Sequence, residues 1–141
     1  MLLKLLICVT FMFVVLKPAV SVSNEQLEKM VKSMRKTCMQ KVGVSEDLVN
    51  GVSKGEFPDD ENLKCYSYCI LKAMRGYKNG GIDFAMITKQ IDAMLPPDRG
   101  ALIKVAINSC RSLDFDGDPC EATYKYLKCY YEADPVTFFF P

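Results

Sequence analysis

The spacing of the cysteines restricts what this chain can fold into more than any other feature. Seven are present in 141 residues, and Cys8 sits apart from the rest in an apolar N-terminal stretch. The other six are Cys38, Cys65, Cys69, Cys110, Cys120 and Cys129, with 26, 3, 40, 9 and 8 residues between neighbours. An even set on a short exported chain predicts three disulfides. Six cysteines allow 15 pairings. Cys65 and Cys69 stand four apart on one predicted helix, so their side chains point the same way and each must reach a different neighbouring helix. Cys120 and Cys129 lie nine apart on another, about 13 Å along its axis and too far to bridge. Ten of the pairings survive both exclusions.

Export itself is read from the N-terminus. Lys4 gives a weak positive region, Leu5 to Leu16 is apolar, and Pro18 breaks the run before the small residues Ala19, Ser21 and Ser23. An apolar run of about a dozen residues is short of the roughly 20 needed to span a bilayer. The sequence therefore predicts a signal peptide over residues 1–21, with Ser23 as the alternative cleavage point, followed by one domain over residues 22–141. Cleavage also removes Lys4 and Lys17, leaving 16 of the 18 basic residues against 17 acidic ones. Without a basic face, nucleic acid is not a partner the sequence suggests, and no stable membrane insertion is expected. Histidine is absent from the whole chain. That excludes Ser-His and Cys-His catalysts and His-ligated zinc sites, and no enzyme activity or cofactor is expected.

Helical periodicity and punctuation divide the remainder into about six short helices. Ser23 and Gln26 form a capping-box pair, and Leu27, Met30, Val31, Met34 and Cys38 recur at helical spacing up to Gly43. Ser45 can cap a second helix over 46–52. A third runs from Glu61 to Arg75, with Gly76 as its stop. After an Asn79-Gly80-Gly81 turn, Asp83 caps a fourth helix bearing Phe84, Ile87, Ile91 and Leu95, which ends at Pro96-Pro97. The fifth spans Asp98 to Leu113, with Leu102, Val105, Ala106, Ser109 and Cys110 on its apolar side. Asp118-Pro119 starts a sixth over 119–132, and Asp134-Pro135 forces an extended exit. No strand-like alternation is visible. The fold class expected is all-α, a compact bundle of about six short helices.

The array C-x(26)-C-x(3)-C-x(40)-C-x(9)-C-x(8)-C carries more than a cysteine count. Leu63-Lys64-Cys65-Tyr66 leads into the paired cysteines, and Lys128-Cys129 is followed by Ala133-Asp134-Pro135 and an aromatic ending. Together these resemble the six-cysteine insect odorant-binding proteins over the whole mature chain. The resemblance implies the interlocked pairing Cys38 to Cys69, Cys65 to Cys120 and Cys110 to Cys129, an apolar cavity, and a C-terminal tail folded back over it. It implies a secreted carrier of odorants, pheromones or similar lipophilic ligands, working as a monomer or weak homodimer in sensillum lymph, with an olfactory receptor as a further partner.

Residue by residue, the resemblance points to Ile91 and Leu95 on the fourth helix, Leu102, Ile103 and Ala106 on the fifth, Leu127 and Tyr130 on the sixth, and Phe138 and Phe139 on the tail. Met34 and Met74 are added from the first and third helices. Methionines suit a pocket that accepts varied apolar shapes, and three consecutive phenylalanines at a chain end avoid water best by folding back. Lys104 departs from relatives that carry an apolar pocket residue there. Tyr66 falls where relatives hold the tail or its terminal carboxylate, here that of Pro141. With no histidine, any acid release would use carboxyl groups, leaving binding flat from pH 8 to about 5.5. Two rival readings are a secreted interaction or effector protein on the same scaffold, which predicts a solid core, and a lipophile carrier in a non-olfactory fluid. The run Asp114-Phe115-Asp116-Gly117-Asp118 fails as a calcium loop, because Pro119 and Lys125 stand where glycine and glutamate are needed.

Overall fold

The computed structural model describes residues 23–141, so the signal-peptide reading falls on residues outside that range. The described residues form six helices: α1 (Asn24–Val42), α2 (Glu46–Val52), α3 (Glu61–Ala73), α4 (Phe84–Met94), α5 (Pro97–Ser109) and α6 (Pro119–Ala133). Their starts are set by side chains that satisfy first-turn amides. Ser23 Oγ accepts from Gln26 N while Gln26 Oε1 accepts from Ser23 N, both at 3.2 Å. Asp60 accepts from Leu63 N at 2.8 Å, Asp83 from Met86 N at 2.9 Å, and Asp118 from the amides of Cys120 and Glu121.

Three details differ from the sequence reading. The fifth helix ends at Ser109, with Cys110 as its C-cap, and does not reach Leu113. The Asn79-Gly80 turn, with φ of 54° and 81°, closes a two-residue antiparallel hairpin, β1 (Tyr77–Lys78) with β2 (Gly81–Ile82). Positive φ at both central residues is the geometry that suits the right-handed twist of paired strands. The stop of α3 also works differently: Arg75 takes the left-handed conformation, φ 56°. Gly76 is required for space instead, since a Cβ there would lie 2.8 Å from Leu71 Cδ1 and 2.9 Å from Ile87 Cγ1, where α3 meets α4.

Helices α3 and α6 pack along one another and form the spine. On one side Leu63, Tyr66, Ile70 and Leu127 join Cys38 and the α2 valines; on the other Leu71, Tyr126 and Tyr130 join Ile87, Ile91, Ile103 and Ile107. The disulfides are Cys38–Cys69, Cys65–Cys120 and Cys110–Cys129, the interlocked pairing that the resemblance implies. Helix α3 is thus tied to α1 through one cysteine and to α6 through another. Beside the Cys65–Cys120 bridge, the buried Lys64 ammonium is held by Asp59, by Glu61 at 3.0 Å and by Glu121 at 2.5 Å. Hydrogen bonds donated to these three carboxylates hold the ammonium pKa well above the ordinary lysine range, and Lys64 in turn lowers that of Asp59.

Candidate ligand-binding site

An apolar cavity of about 70 Å³ lies between the spine, α4, α5 and the tail. Leu71 and Met74 from α3 and its C-cap form the floor. Ile87, Ile91, Met94 and Leu95 come from α4 and its end, Ile103 and Ile107 from α5, and Tyr126 and Tyr130 from α6. Leu27 of α1 and the rings of Phe139 and Phe140 close the remaining side. Among the described residues no charged side chain lines it, and Gln90 and the two tyrosines supply its polar groups.

The tail wall is held by specific bonds. Thr137 Oγ1 donates to Asp134 Oδ2 at 2.6 Å, and the amides of Thr137 and Val136 donate to Asp134 Oδ1 at 3.2 and 3.1 Å. These bonds, led by that of the Thr137 hydroxyl, hold the Asp134 carboxyl below the usual carboxylate range. Tyr130 Oη accepts from Phe139 N at 3.2 Å. At the chain end, Tyr66 Oη donates to the Pro141 carboxyl oxygen at 2.6 Å, with both residues buried. Burial pushes the Tyr66 phenol up to about 12, against the opposing pull of Arg35. Phe140 meets the Tyr66 ring edge-on, and Arg99 lies over the Phe139 ring at 5.9 Å. Leu27 and Phe139 also border a groove outside, beside Arg99 and Lys32, so this edge of the tail separates the cavity from that groove.

The residues singled out from sequence divide into two groups. Met74, Ile91, Leu95, Ile103, Tyr130 and Phe139 line the cavity. The remaining six do not. Leu102 is 56% exposed and faces solvent, because Gly100, Ile103, Ala106, Ile107 and Cys110 form the buried side of α5. Ala106 and Leu127 are buried core residues, and Phe138 packs against both core clusters, bridging them. Met34 lies along an open groove beside the Cys38–Cys69 bridge, which ties this part of α1 to α3. Tyr66 serves the tail and does not line the cavity. Lys104 pairs with Asp92 at 2.5 Å on the outer surface, joining α5 to α4.

Sequence reasoning left eight of the lining residues out of the ligand set: Leu27, Leu71, Ile87, Gln90, Met94, Ile107, Tyr126 and Phe140. Phe140 belongs to the run already noticed, and Ile107 follows once the buried side of α5 is fixed by Cys110. Tyr126 has no local signal that separates it from its neighbours Tyr124 and Tyr130. As for a metal centre, the carboxylates of Asp59, Glu61 and Glu121 converge, but Lys64 already supplies the positive charge between them.

Comparison with known proteins places this geometry. The model of the PBP/GOBP family matches residues 21–133. General odorant-binding protein 72 of Anopheles gambiae is 34% identical over 86% of this chain and 100% of its own length. Among solved structures, odorant binding protein 5 of Apis mellifera superimposes with a TM-score of 0.81 at 46% identity, covering 86% of this chain and 100% of that one. Odorant binding protein 4 of Chrysopa pallens gives 0.76 at 35% identity, over 84% of this chain and 98% of its own. With its six cysteines paired as described and its helices closed around an apolar cavity, this chain belongs to the PBP/GOBP family, the insect odorant-binding proteins.

Proposed function

We propose that the protein is a secreted, non-catalytic carrier that takes small hydrophobic molecules through aqueous extracellular fluid to receptors. The observation that carries this reading is an uncharged apolar cavity whose outer wall is a tethered chain end, where an effector scaffold would call for a solid core. The free space is smaller than the several hundred Å³ that a typical ligand pocket offers. Entry therefore displaces walls, and the ones built to move are the flexible Met74 and Met94 side chains and the Phe139 edge of the tail. About ten buried methylenes at roughly 0.8 kcal/mol each give near 8 kcal/mol gross. Dispersion contacts with the cavity walls offset the association costs and the work of opening, so a net affinity in the micromolar range, about −8 kcal/mol, is expected. The test is titration with the apolar fluorophore N-phenyl-1-naphthylamine and displacement by odorants, terpenoids and fatty acids. Saturable micromolar binding with displacement is expected. A probe that does not bind ends the carrier reading.

A further inference from the structure

Cys65 and Cys69 stand four residues apart on α3 and offer two sulfurs to two incoming helices, so folding has to decide which helix takes which. The native pairing joins Cys38 to Cys69 across 31 residues and Cys65 to Cys120 across 55. The swapped pairing, Cys38 to Cys65 and Cys69 to Cys120, closes 27 and 51. Both swapped loops are the shorter. Loop-closure entropy, which grows with the logarithm of length, therefore favours the swapped bridges by about 1.2-fold and 1.1-fold. Chain entropy does not select the native pairing, and side-chain contacts have to.

The contact placed to do so surrounds Lys64. This residue precedes Cys65, and Glu121 follows Cys120, so the 2.5 Å ion pair between Lys64 Nζ and Glu121 Oε1 brackets the bridge. The lysine side chain is 8% exposed and the glutamate about half-exposed. Asp59 and Glu61 meet the same ammonium, but Glu61 stands three residues away on α3 itself and Asp59 in the loop just before it. Both contacts can form before α6 arrives. Glu121 is the one partner of the three that comes from another helix. In the swapped pairing α6 is anchored four residues further along α3, about 6 Å at 1.5 Å per residue. That shift carries the Glu121 carboxylate away from the ammonium. The residue preceding Cys69 is Tyr68, which offers Glu121 no charge in exchange.

We infer that the Lys64–Glu121 ion pair is a pairing key for oxidative folding: it sets the register of α6 on α3 while the cysteines are still thiols, so that Cys120 meets Cys65 and not Cys69. With oxidised glutathione as the oxidant, the Cys65 thiolate attacks one glutathione sulfur, forms a mixed disulfide and releases a glutathione thiolate. The Cys120 thiolate then displaces the second glutathione. Two protein thiols are oxidised, one glutathione disulfide is reduced to two glutathiones, and the two protons lost by the cysteines end on them. With Cys65 and Cys120 joined, Cys69 is left for Cys38. The key acts before any cavity exists and is independent of what the cavity holds.

The test reads which cysteine Cys120 reaches first. The mature chain, reduced and unfolded, is diluted into a glutathione redox buffer at pH 8 and quenched at early times with N-ethylmaleimide. Peptide mapping then counts Cys65–Cys120 against Cys69–Cys120 linkages. Chain entropy alone gives a ratio of about 0.9. The native chain is expected to exceed that by about two- to fivefold, the span of an ion pair with an exposed partner. Glu121→Gln should bring the ratio near one, and so should 1 M NaCl on the native chain, where the screening length is about 3 Å. Salt should then leave Glu121→Gln unchanged. Glu61→Gln, which removes a contact within α3, should keep the native ratio. A native ratio near one overturns the assignment, as does a preference that survives both Glu121→Gln and salt, since packing alone would then choose. Equal losses in Glu61→Gln and Glu121→Gln would also overturn it, by showing that neutralising the lysine matters and the link between helices does not. Because linkages are counted before the fold is complete, a Glu121→Gln chain that never reaches the folded state still gives a deciding ratio.

Discussion

Adjacent rings of the tail have different surroundings, and single alanine substitutions should separate them. Phe138 stacks against Tyr130 at 4.9 Å and Tyr131 at 5.1 Å and packs against both core clusters. A fully buried Phe→Ala costs about 3–5 kcal/mol. Phe138 is half-buried, so Phe138→Ala should cost about 2 kcal/mol, or about 8 °C in Tm for a domain of this size. Phe139 belongs to the cavity wall and otherwise meets Arg99, an exposed cation–π contact of about 0.5–1 kcal/mol. Phe139→Ala should lower Tm by no more than about 4 °C. It opens the chamber toward the groove beside Leu27, however, so the affinity for N-phenyl-1-naphthylamine should fall about tenfold and dissociation should quicken. Differential scanning fluorimetry and stopped-flow probe release measure both quantities on the same samples. Equal losses of Tm in the two variants, or a Phe139→Ala protein with native release kinetics, would falsify the division of the tail into a core ring and a wall ring.

Tyr66→Phe should lower stability by about 1–3 kcal/mol, because the buried Pro141 carboxyl oxygen loses its donor. A melting temperature within a degree of native would mean that this bond does not hold the tail. The pH response follows from Asp134, whose folded pKa is lowered from 3.8. A depressed carboxyl contributes stability above its unfolded value and loses it as pH falls through the folded one. The tail turn should therefore persist through mildly acid conditions and be lost below about pH 4. Histidine is absent from the chain. Ligand affinity is thus expected to be flat from pH 8 to about 5.5; a midpoint between pH 6 and 7 would require a titrating group other than Asp134.

Helix starts were the most legible part of this chain, because a cap is a local contract between one side chain and an amide two or three residues on. Ser23, Ser45, Asp83 and Asp118 each could be read without knowing what the helix packs against. The buried face of α5 was not legible. Its apolar residues run around the helix, and the choice of Ile103 and Ile107 over Leu102 and Val105 is made by the distant Cys129, which anchors Cys110, and by Ile91, against which Gly100 packs. The site divided along the same line. Phe139, Tyr130 and Ile91 were reachable through the resemblance, whereas Tyr126, which also lines the cavity, has no local signal that separates it from Tyr124.

The placement of the three disulfides also determines how the chamber yields. Two of them brace α1, α3 and α6 into a single stiff half, with both struts rooted four residues apart on α3. The opposite half, α4 with α5, is joined to it by the small hairpin and by one strut at the far end of α5. Lys104 and Asp92 also link α4 to α5 across their outer surface. Once Met74, Met94 and the Phe139 edge have given way, an oversized guest is expected to strain the interface of these two helices with the spine before the braced half. The range of sizes the protein can hold is then a mechanical property of α4 and α5, tunable by their packing without altering a single cysteine.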